Sequence, residues 1–398
     1  MQERLILSAN AVPRQGGQGM NLSHMIQGLG GLFELSVFCR AGETGVVTQH
    51  VPEPGWSTTL CRTPVVRRWR DWLNFLSETH FDRTVSRSLG AANFFQGTTG
   101  QCLESLRAAR AKGCFTILDV VTLHHEHYYQ QMTAECARFG IRPPHHRFQH
   151  RRVLEEYRRA DVIRVMSEPA RQTFLERGFS EHRVFAAPPP FDLSRFPPAE
   201  FAGDMFTISF VGLLEPAKGF HYLVDAFRKL DRRNTQLVLW GNTGARPLAR
   251  YLRDQMAACP AIQLRPDSVS QVGYEKVYGA SSVLVHPSLA DGFGYVVGEA
   301  MASGIPVITT TSTGASQYVV DGVNGYVVPP RDAGAICEKL EYLMDHPSLI
   351  RQMGQAARET MAGLTIDHFR QCYQRGLAAA RNSTPELIAI PECPTLQQ

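Results

Sequence analysis

Between residues 282 and 310 an apolar run, a glycine-hinged loop, a helical stretch and a second apolar run follow one another directly: Ser282-Val-Leu-Val-His286-Pro287-Ser288, then Asp291-Gly292-Phe293-Gly294, then Glu299-Ala-Met301-Ala-Ser-Gly304-Ile-Pro306-Val-Ile-Thr. Gly304-Ile-Pro306 stops the helix before the second strand begins. Strands that read as unbroken apolar runs and are joined through a helix belong to a parallel sheet covered on both faces. Seven residues separate Asp291, in the loop, from Glu299, expected in the helix's first turn. The glycines let backbone approach a ligand, and a helix N-terminus offers free N–H groups to a phosphate. A carboxylate there can instead accept hydrogen bonds from vicinal hydroxyls such as those of a ribose. The passage therefore points to a nucleotide-linked substrate.

The same rhythm runs through the chain. Strands are expected at Leu5–Ser8, Leu35–Phe38, Asn93–Gln96, Thr116–Val121 and Val162–Val165, and again at Phe206–Val211, Gln236–Trp240, Val283–His286 and Pro306–Thr310. Between the two sets, Pro188-Pro189-Pro190-Phe191-Asp192 and Pro197-Pro198 form a stiff connector. At 398 residues the chain exceeds one ordinary core. The expectation is an α/β protein of two doubly wound, Rossmann-like parallel-sheet domains facing each other across a cleft, covering 1–195 and 196–365. Residues 366–398 would add a helix packing back on the first domain and a mobile tail. A net charge of +4 argues against a nucleic-acid partner. The apolar run at Met1–Ser8 is too short for a signal peptide and no segment is long enough to span a bilayer. Nine cysteines lie scattered without a Cys-x-x-Cys pair, as in a cytoplasmic protein with reduced thiols.

Ligands of such sheets sit at the carboxyl ends of the strands. The loop after the first strand, Asn10 to Gly19, contains Gly16 and Gly17 and leads into a helix expected at Met20; it lacks Gly-x-Gly-x-x-Gly, which disfavours a nicotinamide or flavin site. After the fourth strand, His124-His125-Glu126-His127 offers an acid, base or sugar contact at His124, without the spacing of a metal site. After Val211 comes Gly212-Leu213-Leu214-Glu215-Pro216-Ala217-Lys218-Gly219. A cation just before a helix start opposes the helix dipole, and is sensible where a diphosphate needs both the charge and the helix amides.

Taken together, His286-Pro-Ser-x-x-Asp291-Gly-Phe-Gly294-x-x-x-x-Glu299-Ala-Met-Ala-x-Gly304-x-Pro306-Val, with Gly16-Gly17, Lys218-Gly219 and Gly322-x-Asn324-Gly325, resembles the Glu-x7-Glu signature of retaining, nucleotide-sugar-dependent glycosyltransferases of the GT-B fold, the glycogen-synthase-like family 4. The resemblance implies that Glu299 accepts bonds from the nucleotide ribose and that Asp291 approaches the donor sugar. It implies a catalytic set of His124, Asp291 and Lys218. It implies a donor-binding set of Gly16, Gly17, Gly212, Lys218, Asp291, Gly292, Phe293, Gly294, Tyr295, Val296 and Glu299. Three departures stand out: Asp for Glu at 291, Leu213 where the family carries an arginine, and Pro190-Phe191-Asp192 for Gly-x-Asp. Arg14 or Arg265 would have to replace the missing cation. No Asp-x-Asp pair occurs, so neither metal nor cofactor is expected.

Acceptor recognition falls to the first domain, where Val65–Leu76 and His145–Arg152 mix bases with aromatics. Such segments suit a lipid-linked or saccharide acceptor at an anionic membrane. The implied protein is a metal-independent hexosyltransferase of polysaccharide or glycolipid synthesis, cytoplasmic or at the membrane's inner face. The alternative is a non-catalytic GT-B protein that binds nucleotide sugar or assists a partner enzyme.

Overall fold

A computed structural model of the chain describes residues 2–56, 70–143, 147–199, 205–230, 232–243, 245–267 and 269–383. Thirteen strands form two sheets, all of whose neighbours are parallel. The first sheet has the order β3-β2-β1-β4-β5-β6-β7, from β1 (Arg4–Ser8), β2 (Glu34–Cys39), β3 (Val47–His50), β4 (Phe94–Thr98), β5 (Phe115–Val120), β6 (Val162–Val165) and β7 (Val184–Ala186). The second has the order β10-β9-β8-β11-β12-β13, from β8 (Phe206–Val211), β9 (Thr235–Trp240), β10 (Ile262–Arg265), β11 (Val283–His286), β12 (Val307–Thr310) and β13 (Gly325–Val328).

The nine expected strands are all present. Four more, β3, β7, β10 and β13, lie at the sheet edges. They are three or four residues long, β3 is largely exposed and β10 carries Gln263 and Arg265, so they show less of the apolar run that marks a central strand. The helix expected from Met20 starts earlier, at Gly16, and runs to Leu29.

Strand order reverses between β1 and β4 and again between β8 and β11. At such switch points the loops leaving neighbouring strands part in opposite directions and open a crevice. The loops after β1, β8 and β11 therefore flank the crevices of the two sheets. The helix Ile366–Arg381 returns to the first sheet, where Phe369 and Tyr373 are fully buried among Leu5, Leu7, Met25 and Phe94. Tyr373 donates to Gln96 Oε1 and Arg370 Nε to the Gly28 carbonyl at 2.9 Å. Burying two such rings stabilises this return by roughly 2–3 kcal/mol each.

The halves also meet directly. Ser167 Oγ donates to the Gly292 carbonyl at 2.6 Å. A Cβ on Gly292 would overlap the Val121 carbonyl, so only glycine lets the β11 loop approach the β5 loop this closely. Farther along the seam, Glu135, on the helix His125–Arg138, has a side chain only 3% exposed. It accepts from Arg331 Nε at 2.7 Å, Tyr222 Oη at 2.8 Å and His221 Nε2 at 3.1 Å, all from the second half.

Candidate functional site

Lys218 lies at the end of a 3-10 turn, Pro216–Lys218, that follows β8. Gly219 next to it has φ +65°, and a Cβ there would overlap the Pro287 carbonyl. The β8 and β11 loops are thus pressed together, and Lys218 Nζ meets Asp291 Oδ2 at 2.5 Å. His286, at the end of β11, offers Nε2–H to the same oxygen at 3.1 Å. Burial alone would raise the Asp291 pKa, but Lys218 and then His286 hold it well below the usual carboxylate range. Burial lowers the pKa of His286, so it serves as a neutral donor.

Gly294, with φ +84°, caps the helix Tyr295–Ala302 that follows. The N–H groups that open a helix lack acceptors within it, although Val297 N–H already donates to the Gly294 carbonyl at 2.9 Å. Tyr295 and Glu299, four residues apart, project from one face into a cleft of about 880 Å³ between the two halves. The opposite wall carries Arg14, Ser23 and His24, and the floor carries Asp192 and Arg195 of the connector. His24 Nδ1 lies 3.3 Å from Tyr295 Oη across the cleft. Tyr278 donates to Glu299 Oε2 at 2.8 Å. Burial pushes the Glu299 carboxyl up to about 7, against the bond from Tyr278 and the charge of Arg195.

That value has a consequence for ligand binding. A carboxylate accepts two hydroxyl hydrogen bonds, whereas the protonated acid has lost acceptor capacity. Affinity for a nucleoside diphosphate should rise as pH increases through 7, by up to about 10-fold between pH 6 and 8. Calorimetric titrations of wild type and Glu299→Gln separate this from ionisation of the ligand, since only the wild type should show the extra slope.

The structure brings Lys218, Asp291 and His286 together between the β8 and β11 loops, and places Tyr295 and Glu299 of the following helix, capped by Gly294, in the cleft wall. The other expected residues occupy varied positions. Gly16 and Gly17 open the first helix, and a Cβ on either would meet nothing within 4 Å, which leaves room for a ligand. Gly212 ends β8 and packs on Gly241. The Phe293 side chain is 1% exposed among Phe191, Tyr295 and Tyr318, so it supports the loop from below. Val296 is half-buried against the same apolar cluster.

The expectation for His124 needs correction. It is 1% exposed and caps the helix His125–Arg138, its Nδ1 accepting from Glu126 N–H at 3.3 Å. Its ring is caged by Phe174, Tyr157 and Phe179 at 4.8, 5.1 and 5.8 Å. A histidine so enclosed serves the core and the helix start rather than a sugar in the cleft. Burial lowers its pKa well below the ordinary value.

Leu213 is 53% exposed and supplies no charge. Of the proposed substitutes, Arg14 lines the cleft while Arg265 bonds Gln263 at the end of β10. The sequence reading missed Arg195 and His24, which sit in the connector and in an unremarkable helix and carry no local motif. Part of the basic–aromatic surface falls outside the described residues, including Val65–Trp69, His145 and His146. The described part is a cluster of Trp72, Phe75 and Phe148 with Arg152 over Phe75. No helix among the described residues is long and apolar enough to cross a membrane.

Comparison with known proteins agrees with this fold. Residues 194–360 match the family model for glycosyl transferases group 1. The capsular polysaccharide biosynthesis glycosyltransferase CapM of Staphylococcus aureus is 32% identical over 161 residues, 39% of this chain and 41% of CapM. The chain thus spans less than half the length of that relative. Sucrose-phosphate synthase from Thermosynechococcus elongatus superposes with a TM-score of 0.71 at 19% identity, over 95% of this chain and 100% of the other. HepE of Anabaena, solved with UDP-glucose, gives 0.68 at 15% identity over 95% and 100%. The chain has the GT-B fold, and within it residues 194–360 match the glycosyl transferases group 1 model.

Proposed function

We propose that the protein is a retaining glycosyltransferase that moves a hexose-type sugar from a nucleoside-diphosphate sugar to a hydroxyl of a saccharide or lipid-linked acceptor. The observation that carries this is the single cleft wall on which Glu299 projects one turn beyond the open amides of the helix start at Tyr295. In this reading Glu299 receives the ribose hydroxyls, and the amides of residues 293–296 meet the diphosphate. Lys218 leaves Asp291 for the leaving group as negative charge develops on it. Asp291, held ionised, then faces the sugar. No covalent intermediate is invoked, because no further carboxylate is placed as a nucleophile; the departing phosphate accepts the acceptor's proton on the same face. Leaving-group charge is met by protein groups, with no metal or cofactor.

UDP-glucose, bound in the HepE structure, is the first donor to test. Match to a capsular polysaccharide enzyme supports polysaccharide or glycolipid synthesis. The aromatic cluster with Phe148, 39% exposed, would then meet an acceptor or an anionic lipid surface at the cytoplasmic face. The tight Lys218–Asp291 pair and the bare Leu213 favour the alternative, a protein that binds nucleotide sugar without turning it over. Release of nucleoside diphosphate from a panel of UDP-, GDP- and ADP-sugars, with cell extract as the acceptor source, decides between them. Release from at least one donor is expected, while binding without release would favour the alternative.

A further inference from the structure

The diphosphate of a nucleotide sugar needs more positive charge than the second domain provides. Leu213 is neutral, and Lys218 is already paired with Asp291. A cation within reach lies outside both sheets. Arg195 ends the short 3-10 turn Leu193–Arg195 in the connector and lines the cleft beside Glu299. Its guanidinium lies 6.0 Å from the centre of the Tyr274 ring. Its backbone N–H donates to the Asp192 carbonyl at 3.1 Å, while among the described residues its guanidinium makes no hydrogen bond or ion pair. Asp192, its acidic neighbour, is occupied by the N–H and hydroxyl of Ser194 at 3.0 and 2.7 Å.

The connector belongs structurally to the donor half. Phe191 N–H donates to the Leu364 carbonyl at 2.8 Å, and its ring lies against Phe293. Phe196 is 4% exposed and packs on Tyr274 with ring centres 4.5 Å apart. Arg358 donates to the carbonyls of Phe196 at 2.6 Å and Leu193 at 3.3 Å, and Ala199 N–H to Ser303 at 2.8 Å. These contacts fix the connector carrying Arg195 to the second half, beside Glu299. Its charge acts on Glu299 on one wall and on His24 on the other, so it stands between the ribose acid and the His24–Tyr295 contact.

We propose that Arg195 is a donor-binding cation of this site, leaving the Tyr274 ring to make a two-pronged contact with the diphosphate and so supplying the charge that position 213 lacks. A cation 6.0 Å from the centre of a half-buried ring is weakly held and moves readily to an anion. This inference rests on the nucleotide-sugar reading above.

The test compares a nucleoside diphosphate with its parent nucleoside. Affinities of UDP, GDP and ADP are measured by calorimetry, and the nucleoside of the best-bound base by ligand-observed NMR, for wild type, Arg195→Gln, Arg195→Lys and Glu299→Ala. Arg195→Gln is expected to weaken the diphosphate by about 10- to 100-fold and leave the nucleoside nearly unchanged. Arg195→Lys should recover part of the loss. Unchanged diphosphate affinity in Arg195→Gln, or an equal loss for diphosphate and nucleoside, overturns the inference; if Glu299→Ala still weakens binding, the nucleotide-sugar reading survives. Absence of binding by all three diphosphates to the wild type defeats both. Arg195 is exposed, so loss of folding does not confound the variant.

Discussion

Lys218→Ala is expected to lower turnover of the nucleotide sugar by about 10²- to 10³-fold, most of it in kcat. Charge accumulates on the diphosphate only as the sugar–oxygen bond breaks, so a cation aimed there contributes more in the transition state than in the ground state. Lys218 is the cation of the β8 turn, and Leu213 cannot share its task. The same substitution leaves Asp291 buried without its main counter-charge, which would drive its carboxyl toward the neutral form. Lys218→Arg, which keeps the charge, should be markedly less impaired. Steady-state kinetics on purified protein checks both, and an unchanged kcat in Lys218→Ala would remove the leaving-group role.

The second large effect concerns the seam. Glu135→Ala should destabilise the closed arrangement by about 2–4 kcal/mol, because it strands His221 and Tyr222 and removes the acceptor of Arg331. The figure stays below the upper range for buried pairs because Arg331 is 33% exposed and can regain water. Arg331 also holds a left-handed backbone, φ 66°, a conformation costly for a side chain unless surrounding contacts fix it. The expected readouts are a melting temperature lower by several degrees and a larger radius of gyration in solution scattering. Burial would raise the Glu135 pKa, but the bonds from His221, Arg331 and Tyr222 bring it down to about 2. Its contribution is therefore fully present above the unfolded value of ~4.5 and is lost as pH falls toward 2. An unchanged melting curve and radius in Glu135→Ala would show that the seam is held elsewhere.

The central strands could be read from the sequence because a parallel strand buried on both faces is largely an apolar run, as in Val283–Val285 and Leu237–Trp240. Edge strands such as Val47–His50 carry no such obligation and were invisible. The 291–299 passage was legible for a related reason: glycines, an acid and a helix start must coincide if backbone is to touch a phosphate. The bond from Tyr278 to Glu299 was not, since it joins residues from two different helices. His124 misled because a histidine after a strand has the same local signature whether it faces a cleft or caps a helix inside an aromatic cage. Arg195 escaped notice because its importance comes from the docking of Phe191 and Phe196, which no local pattern encodes.

Nucleoside diphosphate release from UDP-glucose, extended to GDP- and ADP-sugars, by wild type beside Glu299→Ala bears most directly on the central claim. The account predicts measurable release from at least one donor and a loss of about 100-fold or more in Glu299→Ala at subsaturating donor. No release from any donor, or equal release by the two proteins, would contradict it.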